Sequence, residues 1–256
     1  MEQPLSLDGY RPDDHPDAAV AFRVRVTAHE QEFPLHQHRK GQLILALHGG
    51  ITCEVANAMW MVPPQYAVWI PGSMPHHNRA TPNARLCFLF IEPGAVTLPE
   101  QCCTLKITPF IRELILKLAE DRKPSAQRDR LVQVLFDELP SLPVAQLHLP
   151  VSGHPKIRAM VDYMARHPQE SRTLNQWAAL LAMSERNLSR LIVKETGLNY
   201  RRWRHQLQLI QALQMLVAGK GVQQVAQGLG YDSTTAFITM FKKGLGQTPG
   251  RYLDAL

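Results

Sequence analysis

The C-terminal part of the chain repeats one pattern. Ala178-x-x-Leu181-Ala182-Met183-Ser184 is followed by Leu188, Leu191 and Ile192, and Ala226-x-x-Leu229-Gly230-Tyr231 is followed by Ser233, Phe237, Met240 and Phe241. The opening positions recur at an offset of 48 residues and the closing ones at 49, so the second copy holds one extra residue in its turn. Recurrence at a fixed offset marks a repeated structural unit. Each copy reads as a short helix, a tight turn and a second helix, the helix-turn-helix arrangement. Between the copies, Trp203, Leu207, Ile210 and Leu213 share one face of a predicted 18-residue helix over Tyr200–Val217. Such a helix is about 27 Å long at about 1.5 Å per residue. Neighbouring major-groove faces lie about 34 Å apart. With the width of the units it joins, the helix has the length to place two readers in two adjacent grooves.

Charge supports a polyanionic partner. The chain carries 28 Lys/Arg and 22 Asp/Glu, a net +6. Residues 150–256 hold 14 Lys/Arg and 6 Asp/Glu, or +8, which leaves 14 and 16, or −2, for residues 1–149. The positive excess therefore lies wholly in the half with the repeat, as a nucleic-acid-binding domain requires. Cys53, Cys87, Cys102 and Cys103 form no C-x-x-C spacing, so no disulfide framework is expected and a reducing compartment is. The first residues lack the basic and apolar regions of a signal peptide, and no apolar run is long enough to span a bilayer. A cytoplasmic protein with no membrane association is expected.

In the first copy Leu188, Leu191 and Ile192 claim the buried face of a helix over 184–195, which leaves Arg186, Ser189, Arg190 and Lys194 outward. Arginine donates in pairs to guanine O6 and N7. In the second copy the helix 233–243 turns Thr234, Thr235, Ile238 and Thr239 outward, with Lys242 near its end. Threonine hydroxyls suit phosphate or base, and methyl groups suit thymine, so this helix reads bases more weakly. Arg201 and Arg202 open the connecting helix and are placed for backbone phosphate.

These motifs resemble the DNA-binding domain of the AraC/XylS family of bacterial transcription regulators. The match runs from about Ile157 to Leu253 and includes Leu188-x-Arg190-Leu191, Glu195-Thr196-Gly197, Val225-Ala226-x-x-Leu229-Gly230-Tyr231, Phe241-Lys242-Lys243 and Thr248-Pro249-x-x-Tyr252. The resemblance implies double-stranded promoter DNA and RNA polymerase as partners. It also implies base-facing roles for Arg186, Ser189 and Arg190 in one helix and for Thr234, Thr235 and Thr239 in the other. The family often has arginine where this chain has Thr239.

The first half reads differently. Residues 1–17 are polar and proline-containing and are expected to be loose. Short apolar runs follow at Phe22–Val26, Leu43–Leu47, Ile51–Val55, Met59–Val62, Tyr66–Ile70 and Leu86–Ile91, with Gly49-Gly50 and prolines from Pro34 to Pro93 between them. This is the signature of a β-sandwich or barrel over 18–100. Two amphipathic helices, 109–119 and 128–139, lie in a segment 101–143 that either covers the barrel or forms a dimer seam. Prolines and Ser152-Gly153 make 144–155 a linker before the domain at 156–256. The expected fold is α+β multidomain: an N-terminal barrel with accessory helices and an all-α C-terminal domain.

His36-x-His38-x-x-x-Gln42 and Pro71-x-x-x-x-His76 resemble the two motifs of a cupin, a barrel common as a sensor in the same regulators. The resemblance implies that His36, His38, Gln42 and His76 form an effector site or a divalent-metal site. Gln42 stands where metal-binding cupins usually have glutamate. That favours a small-molecule pocket over a metal, and no cofactor is required. Met59, Trp60, Met61, Tyr66, Trp69 and Phe88 are apolar candidates to line such a pocket or simply to fill the barrel. The function expected is a non-enzymatic, ligand-responsive, homodimeric transcription regulator. The alternatives are a constitutive DNA-binding protein with a barrel used only for dimerisation, and a metal-dependent cupin enzyme.

Overall fold

A computed structural model describes residues 11–26, 31–48, 50–55, 58–62, 66–80, 84–121, 123–145, 148–150 and 152–254. Residues 1–10 of the expected loose segment, Gly49, and positions 146–147 and 151 of the expected linker lie outside the described residues. The chain divides into two compact units, Met1–Ala56 with Trp60–Leu147, and Asn57–Met59 with His148–Leu256.

The first unit holds two antiparallel sheets. One takes the order β1 (Ala19–Arg25), β8 (Arg85–Ile91), β3 (Gly41–His48), β6 (Tyr66–Ile70), β9 (Cys103–Lys106), β10 (Val144–Ala145). The other takes the order β5 (Ala58–Val62), β4 (Ile51–Val55), β7 (His76–Ala80), β2 (Gln31–His36). Inner side chains meet between them, where Phe33 of β2 packs edge-on against Phe88 of β8 with ring centroids 6.4 Å apart, and within the first sheet Phe22 stacks on Phe90 at 5.6 Å.

The first sheet is buried on its other face too. Ala19, Ala21, Leu43, Leu45, Ala67, Trp69, Cys87 and Leu89 pack under α1 (Pro109–Glu120) and α2 (Ala126–Glu138) through Ile111, Leu114, Ile115, Leu118 and Leu135. Burial on both faces is why these strands read as continuous apolar runs rather than as alternation. Beneath α1 and α2 therefore lies a sheet face, not the open end of a barrel. Trp69 and Phe88 accordingly sit on opposite faces of one sheet and cannot line one pocket. Trp69 instead packs over Gly41, where a Cβ would come within 2.0 Å of its ring, and donates to the Pro99 carbonyl at 2.8 Å.

Several features depart from the sequence expectation. Strand β2 contains Pro34, which reads as a breaker; it lies at a sheet edge, where a missing N–H costs no ladder bond. Strands β9 and β10 lie in segments expected to be helical cover and linker. Residues 11–17 are pinned rather than loose. The Asp13 carboxylate accepts from the backbone N–H groups of Arg39 and Lys40 at 2.7 and 3.0 Å. The fully buried Lys40 ammonium donates to the carbonyls of His15 and Asp17, both at 2.7 Å.

In the second unit a short strand, β11 (His148–Pro150), precedes seven helices among the described residues: α3 (Pro155–Arg166), α4 (Leu174–Leu180), α5 (Glu185–Thr196), α6 (Tyr200–Val217), α7 (Val222–Gly228), α8 (Thr234–Leu245) and α9 (Pro249–Leu253). The sequence repeat reappears in the backbone. Met183 N–H donates to the Ala178 carbonyl at 2.9 Å, and Tyr231 N–H to the Ala226 carbonyl at 3.0 Å. Ala182 and Gly230 both take the left-handed conformation, at φ 50° and 72°. Gly230 has a second reason, since a Cβ there would lie 2.1 Å from the Gln169 carbonyl oxygen. Ser184 and Ser233 cap α5 and α8 through the N–H groups of Asn187 and Ala236, each at 3.2 Å. Helix α8 runs past Gly244, which packs against Leu209, and ends at a left-handed Gly246. Gly246 thus matches Gly197, the left-handed cap of α5.

Candidate nucleic-acid interface and histidine cluster

Helix α5 buries Leu188 and Ile192, so the 3.6-residue period carries Arg186, Arg190 and Lys194 outward; all three are exposed, and Ser189 beside them is half-buried. Asn199 caps α6 by accepting from the Arg202 N–H at 3.0 Å, which sets exposed Arg201 and Arg202 in its first turn. In α8, Phe237 and Phe241 face inward and pack in sequence toward Tyr252, with centroids 5.8 and 5.7 Å apart. Outward lie exposed Thr235, Thr239 and Lys242, with Thr234 and Ile238 half-buried.

Ion pairs with carboxylates form in both units, in the second between Arg172 and Glu170 at 3.1 Å. In the first, Arg23 pairs with Glu120 at 2.8 Å, Arg79 with Glu32 at 2.6 Å and Arg112 with Glu113 at 2.5 Å. Among the described residues, none of Arg186, Arg190, Lys194, Arg201, Arg202 or Lys242 is in an ion pair with a carboxylate. His205 reports on the same field: partial burial, then the charges of Arg201, Arg204 and Lys243, hold its pKa below the usual imidazole value. Positive charge from the start of α6 and the end of α8 therefore gathers around one residue.

Buried polar groups that periodicity does not reveal tie α6 to both copies of the repeat. The Trp177 indole N–H donates to the Tyr200 hydroxyl at 3.1 Å, and that hydroxyl donates to the Arg172 carbonyl at 2.6 Å. At the other copy, the Tyr231 hydroxyl donates to Gln208 Oε1 at 3.1 Å, while the Gln211 amide ties α6 to α3 by donating to the Met164 carbonyl at 3.0 Å. These bonds fix how the two copies sit on their connecting helix.

In the first unit His36 ends β2, His38 lies in the following loop and His76 begins β7, which pairs with β2. Pairing opposes His36 to His76 and brings their ring centroids to 4.2 Å; His38 is 5.0 Å from His76. One ring nitrogen from each of the three lies within 4.8 Å of the others. Gln42 is buried, with Oε1 3.3 Å from His38 Nε2. The three histidines and Gln42 thus meet at one place. Burial pushes the His76 pKa down to about 4, and the charges of His36 and His38 act in the same direction. Burial lowers that of His38 as well.

Residues 177–255 match the model of a helix-turn-helix domain family. The chain is 66% identical to the HTH-type transcriptional regulator NimR of Escherichia coli strain K12, over all of this chain and 95% of that protein. It is 33% identical to the HTH-type transcriptional regulator AlkR of Acinetobacter baylyi over 48% of this chain and 42% of that one. Among solved structures, ToxT from Vibrio cholerae superposes over 93% of this chain and 98% of its own with a TM-score of 0.41 at 10% identity. The full-length similarity to a transcriptional regulator agrees with the repeated helix-turn-helix and its capped, basic recognition helix. The chain belongs to the AraC/XylS family of helix-turn-helix transcription regulators.

Proposed function

We propose that this regulator reads two adjacent major grooves of promoter DNA with α5 and α8, and that an effector held in its first unit changes that reading. The observation that carries the DNA side is the set of exposed cations on α5, α6 and α8 with no carboxylate partner among the described residues. Arg186 and Arg190 are assigned to base edges with Ser189 beside them, and Lys194, Arg201, Arg202 and Lys242 to phosphate. Thr234, Thr235 and Ile238 are assigned to the second groove, with Thr239 beside them and its hydroxyl bonded within the helix. For the effector side, the support is the convergence of exposed His36 with buried His38, Gln42 and His76.

The role is that of a non-enzymatic regulator acting in the cytosol, with RNA polymerase as its neighbour at the promoter. No helix among the described residues is long and apolar enough to cross a membrane. A homodimer through α1 and α2 is supported by Phe110 and Val134, which stay 55% and 39% exposed on helices whose other faces are buried. Sedimentation of Phe110→Glu against wild type tests it: a lighter species is expected in the variant.

The DNA assignment is tested by mapping bound genomic sites and footprinting one of them with the full chain. Two protected patches about one helical turn (roughly 10 base pairs) apart are expected, with affinity falling steeply as salt rises. A footprint confined to one groove would sink the two-helix reading.

A further inference from the structure

Helix α6 is buried on every side from Leu207 to Leu213. It meets solvent mainly in its first two turns, where Arg201, Arg202 and His205 are exposed. That stretch adjoins both recognition helices. In the chain it follows α5, just past the left-handed Gly197 cap. In space the end of α8 packs on the same helix: a Cβ on Gly244 would come within 2.7 Å of Leu209, one turn beyond His205. Lys243, the neighbour of Gly244, therefore acts on His205. A duplex read in two adjacent major grooves carries sugar-phosphate strands between them. Those strands pass the element that joins the two readers.

His205 is the one titratable group near neutral pH in that exposed stretch. Arg201 lies one turn before it and Arg204 beside it, and Lys243 reaches it from α8. Neither α6 nor α8 contains an Asp or Glu, and α4, α7 and α9 contain none. Of the two glutamates of α5, Glu185 opens the helix and Glu195 accepts from the Ser152 hydroxyl. Among the described residues His205 has no hydrogen bond and no carboxylate partner. In the free protein an imidazolium there meets three cations and no relief. Partial burial, then the charges of Arg201, Arg204 and Lys243, hold the pKa of the ring below its ordinary 6.5. A phosphate strand reverses this. It cancels the repulsion and accepts a hydrogen bond from the charged ring.

We infer that His205 contacts the phosphate backbone between the two grooves and takes up a proton as the duplex binds. The inference rests on the two-groove reading and deepens it, by naming how the join between the readers meets DNA. Arginine or lysine at this position would be charged in both states. Histidine makes the contact conditional on pH. The complex holds the proton more tightly than the free protein, so affinity rises as pH falls and declines as pH rises through the pKa of the complex. A single group changes affinity by at most about tenfold per pH unit.

The test uses the full-length protein and one promoter duplex recovered by the genomic mapping, titrated at constant salt between about pH 6.2 and 8, the range in which an imidazole changes charge. We expect wild-type affinity to rise about three- to tenfold toward the acid end. Calorimetry in buffers of different ionisation heat should show net proton uptake on binding. His205→Gln is expected to flatten the rise and abolish the uptake. His205→Arg should bind with affinity that varies by less than about twofold over the range, because its charge is fixed. Both changes are at an exposed position, and circular dichroism checks that each variant stays folded at each pH. His167→Gln is the control: His167 faces Glu170 at 3.8 Å beyond the end of α3, and the variant should keep the wild-type pH profile. A wild type that binds equally well across the range, or an undiminished rise in His205→Gln, overturns the inference and leaves the two-groove reading standing. A wild type that fails to bind the duplex at any pH overturns both.

Discussion

The hydroxyl of Thr239 donates to the carbonyl oxygen of Thr235, one turn earlier in α8, at 2.9 Å. That bond occupies the only donor of the residue standing where arginine is frequent in the family. We therefore expect Thr239→Ala to change operator affinity by less than about 0.5 kcal/mol, the range of an ordinary surface substitution. A binding titration checks this, and a tenfold loss would show that the threonine hydroxyl serves a base after all.

Arg190 and Arg201 should behave differently although both are exposed arginines. Arg190 lies on the outward face of α5, so Arg190→Ala is expected to cost about 1–3 kcal/mol and to relax preference at one base position. Arg201 lies in the first turn of α6, so Arg201→Ala should weaken all duplexes alike and reduce the salt slope by about 1. Site selection with each variant distinguishes the two roles; an unaltered motif and affinity for Arg190→Ala would remove it from the base-reading set.

Arg128 holds the first unit together from the middle of its polar network. Its guanidinium is 5% exposed and donates to the carbonyls of Leu118 at 2.9 Å, Asp121 at 2.5 Å and Ala19 at 3.1 Å. Two of these are at the C-terminal end of α1, where carbonyls lack helical partners and a cation is favoured. Arg128→Ala leaves buried acceptors unpaired, so we expect a loss of about 3 kcal/mol in urea unfolding. Arg128→Lys should recover only part of it, because one ammonium cannot reproduce the planar fork. Wild-type stability in Arg128→Ala would refute this account of the network.

The buried His76 should make stability depend on pH. Its folded pKa of about 4 is below the unfolded imidazole value of 6.5. Between those values the unfolded chain takes up a proton that the folded chain refuses, so stability falls as pH drops from about 6.5 toward 4. At and below pH 4 the accumulated loss is about 3 kcal/mol. Denaturant midpoints across that window, compared with His76→Asn, isolate the contribution. Equal slopes for both proteins would show that His76 is not the group responsible.

Much of the second unit is legible because its signals are local. Tyr200–Val217 is helical over the span its apolar spacing predicts, and Thr173, Ser184 and Ser233 cap where a small oxygen-bearing side chain precedes a periodic run. The apolar runs at Ile51–Val55 and Tyr66–Ile70 are likewise strands with those limits. Strand β2 escapes such reading because Pro34 breaks its signal. Strand β7 escapes because His76-His77-Asn78-Arg79 is polar, although it turns His76 and Asn78 inward.

The duplicated helix-turn-helix, its caps, its connecting helix and the outward side of α5 and α8 are all written into local sequence. All of these follow from hydrogen bonds and side-chain spacing within a few residues. Only the tertiary structure decided that β2 pairs with β7, that His36 and His38 meet His76, and that Lys40 and Arg128 disappear into the interior. It alone also ties Gln208 to Tyr231 and sends Trp69 and Phe88 to opposite faces of one sheet. Those outcomes depend on which distant strands pair and in which register. A shift of one residue would turn every side chain of a strand to the other face, and no local pattern around His36 or His76 carries that choice.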